Sequence, residues 1–179
     1  MRIIGGEYRS RILADIKGDN VRPTSDRARE ALFNILSLSV RDARVLDLFA
    51  GSGALGLESL SRGAKEATFN DVSKDSVGII KKNVASLKAE GRARVYQTDF
   101  AAFLNFAKAP FDLIFIDPPY RFDYGEKALQ IISEKGLLTE NGIAVYERDR
   151  PFVGEITGLD KFDERKYGKT YLTFFRRKE

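Results

Sequence analysis

The chain contains no cysteine and no histidine. Without thiols there is no disulfide framework and no thiolate, and without imidazoles the commonest acid–base catalyst and soft metal ligand is gone as well. Ser-His-Asp and Cys-His hydrolysis, a structural zinc site, and base methylation that needs a cysteine to attack a pyrimidine ring are thereby excluded, and no metal is expected. Long apolar runs are missing too. The longest are about six to eight residues, where roughly 20 are needed to span a bilayer. Met1-Arg2-Ile3-Ile4-Gly5-Gly6 has no signal-peptide core, so the expectation is a cytoplasmic protein without a membrane partner.

What is present fits one compact unit. A chain of 179 residues with 43% apolar content can bury a full core and leaves no room for two substantial domains. The net charge of +4 is uneven: residues 161–179 hold seven Lys or Arg against three acids, so the remainder sums to zero. Arg2, Arg9 and Arg11 against Glu7 make the start basic as well. Basic ends around a neutral body suit a polyanionic partner, although a charge run is often only a solvated face.

Residues 2–13, two short β-prone pieces around Gly5-Gly6, predict a hairpin. Residues 26–37 predict an amphipathic helix with Ala28, Ala31, Leu32, Ile35 and Leu36 as its apolar stripe, capped by Thr24 or Ser25. Arg27 and Arg29 fall off that stripe, free for solvent or phosphate. From residue 43 onward strands alternate with helices. Strands are expected at 43–48, 66–70, 93–97, 111–116 and 143–147, and helices at 54–62, 74–88, 100–107 and 125–134. This alternation predicts a mostly parallel α/β sheet with helices on both faces. Residues 161–167 and 171–176, around Gly168-Lys169, predict an antiparallel hairpin that closes it. The expected division is an appendage at 1–40 and a main domain at 41–179.

Gly51-Ser52-Gly53-Ala54-Leu55-Gly56 is a G-x-G-x-x-G after a strand and opening a helix. Gly51 and Gly53 allow a tight turn and close approach of a ligand, and Gly56 lets helix and strand pack. Asp71 follows Gly51 by 20 residues, the place from which a carboxylate grips ribose hydroxyls. Asp47 precedes the loop and would repel a pyrophosphate, whereas the ammonium and sulfonium of S-adenosylmethionine are favoured by it. Asp47, Asp71, Asp99 and Asp117 are spaced by 24, 28 and 18 residues, each about one strand–helix unit, so all four should stand on one carboxyl edge. For Asp71 and Asp99, capping of the following helix is the simpler alternative.

Phe111-Asp112-Leu113-Ile114-Phe115-Ile116 is nearly all apolar, as a strand buried on both faces should be, and Asp117-Pro118-Pro119-Tyr120 ends it. An exocyclic base amine is a poor nucleophile because its lone pair is delocalised. Acceptors on its two hydrogens, the Asp117 carboxylate and the Pro118 carbonyl, would favour the pyramidal form that attacks a methyl group. Pro119 helps to stiffen the turn, and Tyr120 offers a face on which a base can stack. The choice of base stays open on these residues alone.

Asp-Pro-Pro-Tyr with the upstream Asp47-x-Phe49-x-Gly51-x-Gly53 resembles the class I amino-methyltransferases. Residues 1–6, the segment 22–36, Leu60-Ser61-Arg62-Gly63-Ala64 and Tyr167-Gly168-Lys169-Thr170 are similar to the bacterial small-subunit rRNA guanine-N2 methyltransferases of the RsmD type. The resemblance implies a Rossmann-like fold and S-adenosylmethionine as cofactor, leaving S-adenosylhomocysteine. It places Asp47, Gly51 and Gly53 around the methionine part, Asp71 at the ribose and Asp99 at the adenine amine with Phe100 beside it, and it counts Phe49 and Val72 among the cofactor-binding residues. The target guanine falls to Asp117, Pro118, Pro119 and Tyr120. RNA contact is implied for Arg2, Arg9, Arg11, Arg22, Thr24 and Arg27 of a monomer acting on small-subunit rRNA within an assembly intermediate. Two positions depart from the pattern: Asp71 where a Glu is expected, and Ser10 where a glycine is expected. Adenine-N6 methylation and a non-catalytic RNA-binding module are the alternatives. The first lacks a separate domain to read duplex sequence, and the second would show a broken glycine loop or a lost Asp117.

Overall fold

A computed structural model describes residues 1–17 and 24–179. Arg22, expected to contact RNA, lies outside the described residues. The frame is a seven-stranded sheet of β1 (Arg44–Asp47), β2 (Glu66–Asp71), β3 (Ala93–Gln97), β4 (Phe111–Ile116), β5 (Leu138–Arg148), β6 (Leu159–Tyr167) and β7 (Thr170–Arg177). Their spatial order is β3-β2-β1-β4-β5-β7-β6. The first five run parallel, and β7 pairs antiparallel with both β5 and β6. This is the expected Rossmann-like arrangement. β5 is longer than the expected 143–147, because Leu138 already pairs with Phe111 before a register shift brings Ile143 opposite Leu113.

The apolar strands are buried on two faces, as their composition requires. Leu113 and Phe115 of β4 enter one core cluster and Ile114 and Ile116 the other. The first core is completed by α1 (Asp26–Leu36), α2 (Ala54–Ser61) and α3 (Lys74–Ser86). The second is completed by α4 (Phe100–Phe106) and α5 (Tyr124–Glu134). Ser25 caps α1, its hydroxyl accepting from Ala28 N at 3.1 Å. Chain order reverses between β1 and β4, which opens a crevice beyond their carboxyl ends, the usual ligand position in open α/β sheets.

Two expectations are corrected at the N-terminus. Arg29 is not free for solvent: it is 1% exposed, on the face of α1 that turns Ala28, Leu32, Phe33 and Leu36 inward, while Ile35 is 37% exposed. The apolar stripe is rotated because Phe33 packs on Phe115 of β4, ring centroids 5.8 Å apart. The 2–13 hairpin is a single antiparallel bridge, Arg2 to Ile12, rather than two strands. Its tip hydrogen-bonds to α2 instead of extending the ladder, Glu7 N donating to Ser61 O at 2.8 Å and Tyr8 N to Ser61 Oγ at 2.9 Å. Ser10, the departure from the glycine pattern, has φ 67°, the backbone region where glycine carries no penalty.

Gly56 has the packing role its position suggested. A Cβ there would lie 2.3 Å from Phe69 Cε1, and Phe69 is fully buried on β2. Gly56→Ala is therefore expected to lower unfolding free energy by about 1–3 kcal/mol, as overpacking of a filled core does, measured by denaturant titration.

Candidate active site

Three strand ends build the centre of the site. Asp47 closes β1, Asp117 follows β4, and Glu147 is the penultimate residue of β5. The register that pairs Ile116 with Tyr146 carries Asp117 alongside Glu147. Asp47 is 2% exposed, with Oδ2 accepting from Gly56 N at 3.0 Å. Burial raises its pKa from 3.8 to about 7, against the opposing Gly56 hydrogen bond and with help from Asp71. Asp117 is pushed well above the ordinary carboxylate range by burial first, then by the charges of Glu147 and Asp47. Glu147 is also raised by burial, against hydrogen bonds from Thr24 and Tyr120. Like charges brought together away from water favour the protonated forms.

A cavity of about 510 Å³ opens at this edge, within the range of about 300–1,000 Å³ typical of small-molecule sites. Asp47, Asp71, Asp99 and Asp117 all line it, together with Phe49, Gly51, Val72, Phe100, Pro118, Pro119, Tyr120 and Thr24. Gly53 stands behind the wall. It caps α2 in a left-handed conformation (φ 82°) and sets the turn that brings Gly51 forward. Two of the acids also serve the backbone. Asp71 Oδ2 accepts from Gly51 N at 2.9 Å and Oδ1 from Ser73 N at 2.9 Å, which holds the glycine loop to β2. Asp99 caps α4, its Oδ1 accepting from Ala101 N and Ala102 N at 2.9 and 3.1 Å. Capping and cavity lining are compatible here, since both hydrogen bonds to the Asp99 carboxylate use Oδ1.

The residues expected to contact RNA divide. Thr24 reaches the centre, donating to Glu147 Oε2 at 2.6 Å. The two ends of the N-terminal hairpin border the cavity through Met1, Asp15 and Ile16. Its tip carries the exposed Arg9 and Arg11 to the carboxyl ends of α2 and α3, where Arg11 Nη2 donates to Ser86 O at 2.7 Å. Arg2 and Arg27 are exposed and, like Arg9 and Arg11, are not among the cavity's lining residues.

Two positions at this edge escape a reading of the sequence. Glu147 closes an apolar run as Asp47 and Asp117 do, but no motif follows it to set it apart from a surface acid. Tyr124 lies in a row of rings along the cavity wall: Phe49 on Phe100 at 5.2 Å, Phe100 on Tyr124 at 5.1 Å, and Tyr124 stacked on the exposed Phe122 at 4.7 Å. Only the tertiary packing of α4 against α5 reveals that row. Arg148 is buried and pairs with Glu126 at 3.1 Å, pointing away from the acids.

The family model described as "Conserved hypothetical protein 95" matches residues 1–176. "Ribosomal RNA small subunit methyltransferase D" of Escherichia coli (strain K12) is 41% identical over 149 residues, which cover 83% of this chain and 75% of that protein. "Putative rRNA methyltransferase YlbH" of Bacillus subtilis (strain 168) is 36% identical over 99% of this chain and all of its own length. The solved structure "Putative methyltransferase yhhF from Escherichia coli" superposes with a TM-score of 0.89 at 36% identity, covering 99% of this chain and 97% of that one. The end-to-end resemblance read from the flanking segments is thus borne out.

The buried Asp47 carboxyl carries a stability signature. Its raised folded pKa means that the folded state holds a proton which the unfolded chain releases above about pH 4, so this stabilisation is present at low pH and lost as pH rises through about 7. Asn cannot ionise. In scanning calorimetry of the ligand-free protein, Asp47→Asn should melt above the parent by a margin that widens from pH 5 to about pH 7 and then stays constant.

Proposed function

The chain belongs to the Conserved hypothetical protein 95 family, and we propose that it transfers a methyl group from S-adenosylmethionine to the N2 amine of a guanine in small-subunit ribosomal RNA. The observation that carries the chemistry is the meeting of Asp117, Pro118 and Tyr120 with Asp47 and the Gly51 turn in one cavity at the reversal of strand order. RNA as substrate is supported by the names of the relatives, and guanine N2 by the resemblance in residues 22–36 and the other flanking segments.

The cavity fits such a cofactor on its own terms. Asp47 is a buried carboxylate whose pKa is shifted by no cationic neighbour, and a ligand ammonium beside it would relieve its desolvation. Phe49 and Phe100 form an apolar wall suited to an adenine ring, with Asp99 at its edge and Asp71 and Val72 between. When bound, the cofactor supplies an electrophilic methyl group on a sulfonium.

The chain's own residues prepare the nucleophile. A target base swung out of its helix would stack on Tyr120, whose hydroxyl lies 3.4 Å from Glu147. Asp117 and the Pro118 carbonyl accept from the two hydrogens of the amine and draw its lone pair out of the ring. Methyl transfer to N2 would form an N–C bond as the C–S bond of the sulfonium breaks, and N2 would give up one proton. Asp117, buried and then crowded by Glu147 and Asp47, accepts a proton more readily than an ordinary carboxylate would. Histidine is not needed for any of these steps. The substrate is presented on a ribosomal assembly intermediate, where the exposed Arg9 at the hairpin tip and Arg27 on α1 give phosphate contacts outside the cavity.

Tritiated S-adenosylmethionine with small-subunit particles from cells lacking the protein should label ribosomal RNA at one guanine N2; label in duplex DNA and none in particles would sink the proposal. Asp117→Ala should retain cofactor binding and lose turnover by about 100-fold or more, as removal of a preorganised hydrogen-bond partner does; single-turnover assays measure it. Replacing Arg9 and Arg11 by alanine should weaken RNA association and flatten its dependence on salt by roughly one to two ions released. An unchanged slope would return both side chains to a solvated face.

A further inference from the structure

Arg29 is the one cationic side chain lining the cavity among the described residues, and it is 1% exposed. Its guanidinium is only partly satisfied. Nη2 donates to the Arg2 carbonyl at 2.5 Å and to Asp26 Oδ1 at 2.9 Å, whereas Nε and Nη1 are buried with no hydrogen-bond partner. The nearest buried acid does not supply one. Glu58 accepts from Ile4 N and Gly5 N, both at 2.9 Å, and from Arg62 Nε at 2.8 Å, so its two oxygens are committed elsewhere. Asp15 also faces Arg29 electrostatically, but it is exposed, and its Oδ1 accepts from Ile16 N at 2.8 Å. Two desolvated nitrogens whose N–H groups lack acceptors are costly unless a ligand provides them.

The cavity is therefore bipolar. Asp47 and Asp117 stand on the sheet edge, and a single guanidinium stands on the α1 wall. An α-amino acid group carries a cation and an anion on one carbon, and matches such a pair of walls. We infer that Arg29 is the carboxylate-binding residue of this site, receiving the α-carboxylate of the cofactor's methionine part on Nε–H while the ammonium turns towards Asp47. The inference rests on the cofactor reading above and adds to it a subsite on α1, outside the glycine loop. The bond is charge-assisted from both sides, which makes it stronger than one between neutral groups. It also gives the N-terminal helix a direct part in the site: Nη2 holds the hairpin carbonyl while Nε holds the ligand.

The test compares S-adenosylmethionine with decarboxylated S-adenosylmethionine, which keeps the sulfonium and amine, by calorimetry on the full chain. The wild-type protein should bind the carboxylated form about 10- to 100-fold more tightly, the range expected of charge-assisted hydrogen bonds. Arg29→Gln should bind both alike, and Arg29→Lys should keep a reduced preference. Because Arg29 also holds Arg2 and Asp26, a variant may lose its fold; the wild-type Arg29 Nε–H resonance then serves as readout, shifting with the carboxylated ligand and not with the decarboxylated one. Equal wild-type affinities, a folded Arg29→Gln protein that keeps the preference, or an Nε–H resonance indifferent to the carboxylate would each overturn the inference while leaving the cofactor reading intact. Failure of both ligands to bind would instead remove the cofactor reading, and this subsite with it.

Discussion

Asp47, Asp117 and Glu147 end three neighbouring strands, and burial raises the pKa of each without a cation among the causes. Placing like charges together away from water is unfavourable for the free protein. The sheet tolerates it because its strands are held by apolar packing on both faces, by Leu113 and Phe115 on one side and Ile114 and Ile116 on the other. Strand ends pinned in this way cannot relax to separate their acids. The same frustration makes the edge receptive to a positive ligand.

The N-terminal residues are fastened to this edge by buried polar side chains. Asn83 of α3 accepts from Ala14 N at 2.7 Å and donates to Ala14 O and Ser52 O at 2.9 and 3.0 Å, tying the hairpin's exit to the glycine loop. Glu58 of α2 takes two amides at its entry. Thr24 closes on Glu147 across the whole site. A segment that looks like an appendage in the sequence thus packs its Ile3 and Leu13 into the main core and supplies a wall of the cavity. Satisfied polar networks of this kind hold a unique geometry more firmly than apolar contact alone.

The short, strongly apolar strands and the Gly51–Gly56 turn are legible residue by residue, and so are the four aspartates, because a strand end followed by a helix start has local chemistry. Arg29 is the opposite case. Helical periodicity puts it off the stripe of Ala28, Leu32 and Leu36, and only the seating of Phe33 on Phe115 rotates α1 enough to bury it. The hairpin tip is similar: its β-prone residues find their partners on Ser61 and not in a ladder. Glu147 is hidden for a third reason, since nothing local distinguishes an acid on β5 that meets Asp117 from one that meets solvent.

The absence of histidine and cysteine, the parallel α/β alternation, the acids spaced by one strand–helix unit and the Asp-Pro-Pro-Tyr turn after a doubly buried strand are determined by the sequence alone. Each depends on composition or on neighbours within a few residues. The tertiary structure decides which acids share a desolvated edge, which arginine turns inward, and that Met1, Asp15, Ile16, Thr24 and Arg29 complete the cavity. Those outcomes depend on contacts between elements far apart in the chain, such as Glu147 with Thr24 and Arg29 with Arg2, and burial, unlike periodicity, is a property of the assembled whole.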